Sequence, residues 1–316
     1  RANDNRVHKA HVVVFFIFIV SNAGGSLTPL GDPPLFLGFL QGVSFFWTLK
    51  TLLPETLFCI GVLLALFWLI DRHFYAKEGV LPRDPTPDDH RFGIDGSVNL
   101  LLLGAVILLV LLSGAWKPGT VVHLPGADVE LQNLVRDAGL LAVTVASMGL
   151  TAQRVRDANQ FSWGPMQEVA KLFIGIFVTM LPVLAMLRAG HDGAFAAVLR
   201  AVTGPDGQPL PWAYFWASGL LSSFLDNAPT YLVFFNLAHG DAQVLMGPMA
   251  DTLLAISMGA VFMGANTYIG NGPNFMVRTI AEGRGYHMPG FLAYLGIALA
   301  VLGPVFLLVT FVLFAG

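Results

Sequence analysis

The sequence predicts an all-α polytopic membrane fold, and three observations predict it. The 316 residues are 55% hydrophobic and only 12% charged, whereas a soluble domain carries about 25% charged residues. Apolar runs such as 52–70 and 98–115 are long enough to cross the roughly 30 Å of bilayer hydrocarbon. A polar interruption also occurs twice. Setting Thr28–Phe36 over Thr267–Phe275 matches Thr, Gly, Pro and Phe, with Leu facing Ile and Asp facing Asn. Gly and Pro weaken a helix, and a backbone broken at membrane depth persists only where protein covers it or water fills a cavity. Interrupted segments at matching places in two halves point to a binding site between repeats. The expectation is an inverted-repeat secondary transporter with two broken helices and a re-entrant hairpin.

The first inverted repeat contributes its C-terminal part, residues 1–71, with a broken helix over 11–47 and a span over 52–70. The hydrophilic stretch 72–95 is read as a cytoplasmic loop. The second repeat, 96–316, carries spans 98–115, 131–150 and 166–187, a hairpin over 212–237, a broken helix over 249–280 and a span over 289–314. The mixed stretch Lys117–Asp137 is expected along the membrane interface. Glu168 and Lys171 sit three apart, the spacing of an ion pair at a helix end. The hairpin is placed by Ser222-Ser223-Phe224-Leu225-Asp226-Asn227-Ala228-Pro229-Thr230, whose carboxylate, amide and proline suit a polar tip between two half-helices. The chain opens on Arg1, and Arg1–Lys9 has no signal-peptide shape. Repeat symmetry leads to the expectation that roughly 140 residues precede it, so that this is a fragment or a processed chain.

If every span crosses and the hairpin returns to its own side, the two interrupted segments run in opposite directions. Twelve of the 17 Lys and Arg residues then lie on one side. Basic loops stay in the cytoplasm, so the first span starts inside and the C-terminus ends outside, in a bacterial inner membrane. The net charge of −3 suggests no nucleic-acid partner. The single Cys59 allows no disulfide framework. No phosphate-cradling loop, His-Glu-x-x-His or Cys-x-x-Cys occurs, so neither an enzyme nor ATP-driven pumping is expected, and no cofactor beyond transported or coupling Na⁺ and H⁺.

A carboxylate at the bilayer centre costs at least about 2.5 kcal/mol, yet Asp32 and Asp226 lie in these motifs with no basic residue nearby in sequence. Such a group exchanges a proton for a cation. Asp226, Asn227, Asp32, Asn22, Thr28 and Ser223 are the candidate cation- and proton-binding residues, with a Na⁺ site near Asp226 and Asn271. Thr267, Asn266, Asn271, Asn274 and Thr230 are candidates for substrate, since exposed half-helix N-termini attract anions. Gly24, Gly25, Gly31, Pro33, Pro34, Pro229, Gly270, Gly272 and Pro273 make the breaks and hinges. Each has a plainer reading: asparagines and serines bridge membrane helices, Gly24 and Gly25 allow close packing, and Asp226 caps a half-helix.

Gly24-Gly25-x-x-Thr28-Pro29-Leu30-Gly31-Asp32 resembles the broken-helix motif of NhaD-type sodium:proton antiporters. Ser223-Phe224-x-Asp226-Asn227-x-Pro229 is similar to the hairpin tip of that branch. Thr267-x-Ile269-Gly270-x-x-Pro273-Asn274 resembles the counterpart in the wider ion transporter superfamily, which includes citrate transporters. The resemblance implies a scaffold, a moving region of two hairpins and two broken helices, homodimers and elevator-like alternating access. The sequence departs from the family in lacking the first hairpin. Three readings stay open: sodium:proton antiport, cation-coupled transport of citrate or another di- or tricarboxylate, and a structural membrane protein whose breaks are packing devices.

Overall fold

The computed structural model describes residues 6–79, 94–124, 127–159 and 161–314 and is helical almost throughout. In chain order, α1 (Ala10–Phe16) widens into a π-helical turn, Ile17–Asn22, and tightens into a 3₁₀ turn, Ala23–Leu27. π-turns inside helices gather at functional sites. Next come α2 (Pro33–Leu40), the 33-residue α3 (Phe45–Lys77) and α4 (Val98–Ala115). A hairpin of β1 (Val121–Leu124) and β2 (Ala127–Glu130) leads into α5 (Leu131–Leu150), α6 (Gln153–Ala158) and α7 (Gly164–Arg188). Then follow α8 (Ala196–Ala201), α9 (Pro211–Ser222), α10 (Asn227–Leu237), α11 (Ala242–Met246) and α12 (Ala250–Met263). A 3₁₀ turn, Gly264–Asn266, precedes α13 (Gly272–Gly283) and α14 (Phe291–Phe314). Among the described residues, four stretches are long and apolar enough to cross a membrane: Ala10–Leu27, Phe45–Lys77, Val98–Ala115 and Phe291–Phe314. The protein is an integral membrane protein.

Two compact units emerge, Arg1–Thr86 with Gly175–Gly316, and Pro87–Ile174. In the larger, α12 is the core: every residue from Thr252 to Met263 is buried, as a helix apolar on nearly every side demands. It lies against α9 so closely that a Cβ on Gly259 would strike the Phe215 carbonyl and the Ser218 hydroxyl. In the smaller, Asn99 Oδ1 accepts from Ser147 (2.9 Å) and Thr151 (3.0 Å), tying α4 to α5.

The structure departs from the sequence expectation at three places. The first broken element ends at Leu40, and residues 45–47 open α3; Gly42, at φ 101°, turns the chain between them. Lys117–Asp137, expected as one stretch along the membrane interface, is built from the β-hairpin and the start of α5, with Val121 paired to Glu130. Residues 72–77, expected in a loop, continue α3. The cluster Asp71-Arg72-His73 reads as solvated, but Asp71 pairs with Arg6 and His11 at 2.8 Å each, and Phe74 stacks on His11 with centroids 4.8 Å apart. Residues 80–93 of that loop lie outside the described residues, as does the Glu168 side chain of the expected pair with Lys171.

Beyond α3, Glu78 accepts the backbone N–H groups of Val7 (2.9 Å) and His8 (2.7 Å). The Val7 bond leads in holding its carboxyl below the usual glutamate range. This tie is complete above that range and is lost as pH falls through the lowered value.

Candidate functional site

Both breaks are built alike. The helix tightens to 3₁₀, and Thr28 (φ −144°, ψ 154°) or Thr267 (φ −136°, ψ 166°) then runs extended. Asp32 (φ −150°, ψ 141°) and Asn271 (φ −154°, ψ 133°) are the N-caps of α2 and α13. Prolines follow at once, Pro33 and Pro34 in one copy and Pro273 in the other, where a missing N–H costs nothing. The sequence repeat is thus a repeat of conformation. One further match lies upstream of that alignment, because Gly25 and Gly264 each stand three residues before the threonine. A Cβ on Gly25 would come within 3.0 Å of the Gly31 carbonyl oxygen, and one on Gly264 within 3.1 Å of that of Gly270. Gly24 is tight against the Ile19 carbonyl at 3.1 Å, whereas Gly272 faces open space.

The breaks meet in a buried chain of amides centred on Asp32, which is 3% exposed. Its Oδ2 accepts from Asn227 Nδ2 at 2.8 Å and its Oδ1 from Asn271 Nδ2 at 3.3 Å. Asn271 Nδ2 also reaches Asn22 Oδ1 at 3.1 Å. Asn22 donates to Asn274 Oδ1 at 2.7 Å and to the Ile17 carbonyl at 2.8 Å, inside the π-turn. Asn274 in turn donates at 2.9 Å to the carbonyls of Gly264 and Thr267, which the second break frees. An amide thus occupies both freed carbonyls. Three helix N-termini therefore share one carboxylate: α2 and α13 through their caps, and α10 through its first residue. No basic side chain lies within ion-pair distance of Asp32 or Asp226 among the described residues. Asp226 immediately precedes Asn227, whose amide donates to Asp32.

The turn between α9 and α10 brings Asn227 to this cluster. The Asp226 carboxylate instead accepts from Ala228 N at 3.1 Å and caps its own helix, whose first turn includes Pro229. Thr230 Oγ1 donates to the Asp226 carbonyl at 3.1 Å. A second cluster holds the turn to the second break. Ser223 Oγ accepts from Asn266 Nδ2 at 2.9 Å, and Thr267 Oγ1 donates to the Ser223 carbonyl. Thr267 Oγ1 also accepts from the N–H groups of Ile269 and Gly270, so it locks the turn. The Thr28 side chain makes no hydrogen bond among the described residues. Two amide oxygens, Asn227 Oδ1 and Asn266 Oδ1, are buried without a donor. Buried polar atoms are paired in the great majority of cases, which makes these two the open valences of the site.

Sequence reasoning missed several groups. Glu55 follows Pro54 within α3, and its Oε2 is buried without a hydrogen-bond partner; a charge in an apolar run was the available signal. Next to it, Thr56 Oγ1 meets Ser26 Oγ of the first break at 2.6 Å. Tyr294 gave no signal, yet its hydroxyl donates to the Ala265 carbonyl at 2.9 Å and its ring stacks on Tyr268 at 4.0 Å. Tyr294→Phe is expected to leave that carbonyl unpaired and cost about 1–3 kcal/mol, read as a lower midpoint of thermal unfolding in detergent.

A family model described as "Putative citrate transport" matches residues 1–314. An uncharacterized transporter of Mycobacterium tuberculosis is 28% identical over 271 residues, 84% of this chain and 58% of the relative. An uncharacterized transporter of Mycobacterium bovis gives the same values. A 46 kDa membrane protein of Mycobacterium leprae is 25% identical over 269 residues, again 84% and 58%. The chain thus spans 58% of the length of these curated relatives. No solved structure matches it.

Proposed function

The chain belongs to this citrate-transport family, and from that premise we propose that it forms part of a secondary transporter carrying a citrate-class carboxylate coupled to a cation. The observation that carries the reading is the convergence of three helix N-termini on Asp32. Each N-terminus carries about half a positive charge; Pro33, Pro34, Pro229 and Pro273 remove N–H groups there and Asp226 takes that of Ala228, so the dipoles, more than free N–H groups, draw the anion. The substrate carboxylates bind these ends of α2, α10 and α13. The Asn227 and Asn266 amide oxygens and Asp32 are hard oxygen ligands of the kind Na⁺ and divalent cations take.

Asp32 supplies the coupling. Amide N–H groups donate to both its oxygens, an arrangement that matches the ionised carboxylate. A proton on Asp32 would oppose one of those donors, so one amide must turn over. Asn227 is the one with a spare oxygen to offer. Protonation therefore changes how α10 is held to α2, and cation release and proton entry become one event. On this reading the α9–α10 pair is a re-entrant hairpin, the two breaks belong to oppositely oriented repeats, and the protein works as a homodimer in the bacterial inner membrane by alternating access.

Sodium:proton antiport is the second reading, favoured by a buried Asp32 with no basic partner and by Asp226 close to it. Proteoliposomes holding the full-length protein separate the two. Citrate uptake driven by an imposed Na⁺ or pH gradient is the expected result. Na⁺-driven proton flux that needs no citrate selects the antiporter, and the absence of both overturns transport altogether.

A further inference from the structure

A cavity of about 660 Å³ opens in the larger unit away from the Asp32 cluster, among the segment leading into α1, the end of α3 and the start of α14. Its size is that of a pocket for a substantial ligand. Its walls are of two kinds. Arg6, His8, Lys9, His11 and His287 supply cationic or hydrogen-bonding groups. Ile70, Phe74, Met288, Ile297 and Val301 supply an apolar wall. Among the described residues no aspartate or glutamate lines it. The nearby carboxylates pair with part of this basic wall: Asp71 and Glu78 both reach Arg6, at 2.8 and 3.9 Å, and Asp71 also takes His11. Lys9 is different. Its ammonium sits over the Tyr286 ring at 4.3 Å and has no carboxylate within ion-pair distance among the described residues.

The position adds a second constraint. The cavity lies where three membrane-crossing stretches begin or end, Ala10–Leu27, Phe45–Lys77 and Phe291–Phe314. One wall reaches the outer surface of the helices, since Ile297 is 41% exposed. A site at a span end that is basic towards water and apolar towards hydrocarbon has the polarity of a lipid. The excess of Lys and Arg on this side assigns it to the cytoplasmic leaflet, where anionic lipids gather and basic pockets between helices take their headgroups.

We propose that this cavity binds an anionic phospholipid of that leaflet, with its phosphate at Lys9 and His287 and an acyl chain along Ile297 and Val301. Occupation would join α1, which carries the first break, to α14, whose Tyr294 holds the second. The lipid would thereby set how freely the two breaks move against α3. The inference is independent of which solute is transported.

The test uses the full-length protein, exchanged into nanodiscs or micelles holding equal amounts of phosphatidylglycerol and phosphatidylcholine, with retained lipid read by native mass spectrometry. Phosphatidylglycerol is expected to be retained in preference. Lys9→Gln should weaken that retention roughly fivefold, the share of one basic side chain at a membrane surface. Ile297→Trp, which fills the tail wall, should lower retention without changing charge, and Lys117→Gln, in the other unit, should leave it as it was. Equal retention of the two lipids, or wild-type preference in both Lys9→Gln and Ile297→Trp, overturns the proposal. Displacement by oleate at the same concentration as phosphatidylglycerol overturns it too, because a free acyl anion would then be the ligand.

Discussion

Asp32→Asn in the full-length protein is expected to fold, to retain the cluster, and to lose coupling, with gradient-driven uptake down at least about tenfold. A hydrogen bond to a charged group contributes about 1.5–3 kcal/mol, and 1.4 kcal/mol is tenfold in an equilibrium. Wild-type Asp32 accepts on both oxygens. An asparagine keeps one acceptor and turns its amide towards the other donor, which the Asn227 amide relieves by turning its unpartnered oxygen inward. The variant is therefore a permanent imitation of the protonated form. Asp226→Asn should cost much less, because that side chain caps α10 and asparagine caps as well as aspartate. Uptake in proteoliposomes over a range of imposed Na⁺ and pH gradients checks both variants. Equal losses would show that Asp32 holds no special place.

Gly31→Ala and Gly270→Ala should each destabilise the protein by about 1–3 kcal/mol, the usual cost of forcing a methyl into a filled site. At Gly31 the added Cβ meets the carbonyl of Gly25. At Gly270 it meets those of Gly264 and Ser222, the latter at 2.8 Å. Backbone atoms cannot swing aside as a side chain can, so the cost falls on the break itself. Gly272→Ala, with nothing within 4 Å, is the control and should be neutral. Thermal unfolding in detergent ranks the three. A Gly272 variant as damaged as the other two would mean that the backbone freedom of glycine at the break, and not close approach, sets the requirement.

What was legible in the sequence follows from the range of the forces involved. Apolar length alone placed α4 and α14, because a run of that length has few ways to satisfy its backbone. The breaks were legible because Gly and Pro act locally, and their repetition supplied the symmetry. Partners were not legible. Asn22 meets Asn274 across 252 positions, and nothing near residue 22 hints at it. The helical end of α3 was hidden for the same reason, since Asp71 is held by Arg6 and His11, more than a helix length away in sequence. Asp226 looked like the prime carboxylate of the hairpin, yet the side chain reaching the cluster is its neighbour Asn227. A cap and a site residue carry the same chemistry, and only the direction of the side chain separates them.

The bond between Asn22 and Asn274 also bears on biogenesis. Asn22 and Asp32 leave the ribosome long before their partners, by 195 residues for the bond between Asp32 and Asn227 and by 252 for that between Asn22 and Asn274. Until then the first interrupted segment must sit in the translocon or in lipid with its amide and carboxylate unmet, a state that a membrane quality-control protease would recognise. Insertion is finished only when the last asparagine arrives, so a nascent chain truncated before Asn271 should be degraded and not accumulate as a partial pore.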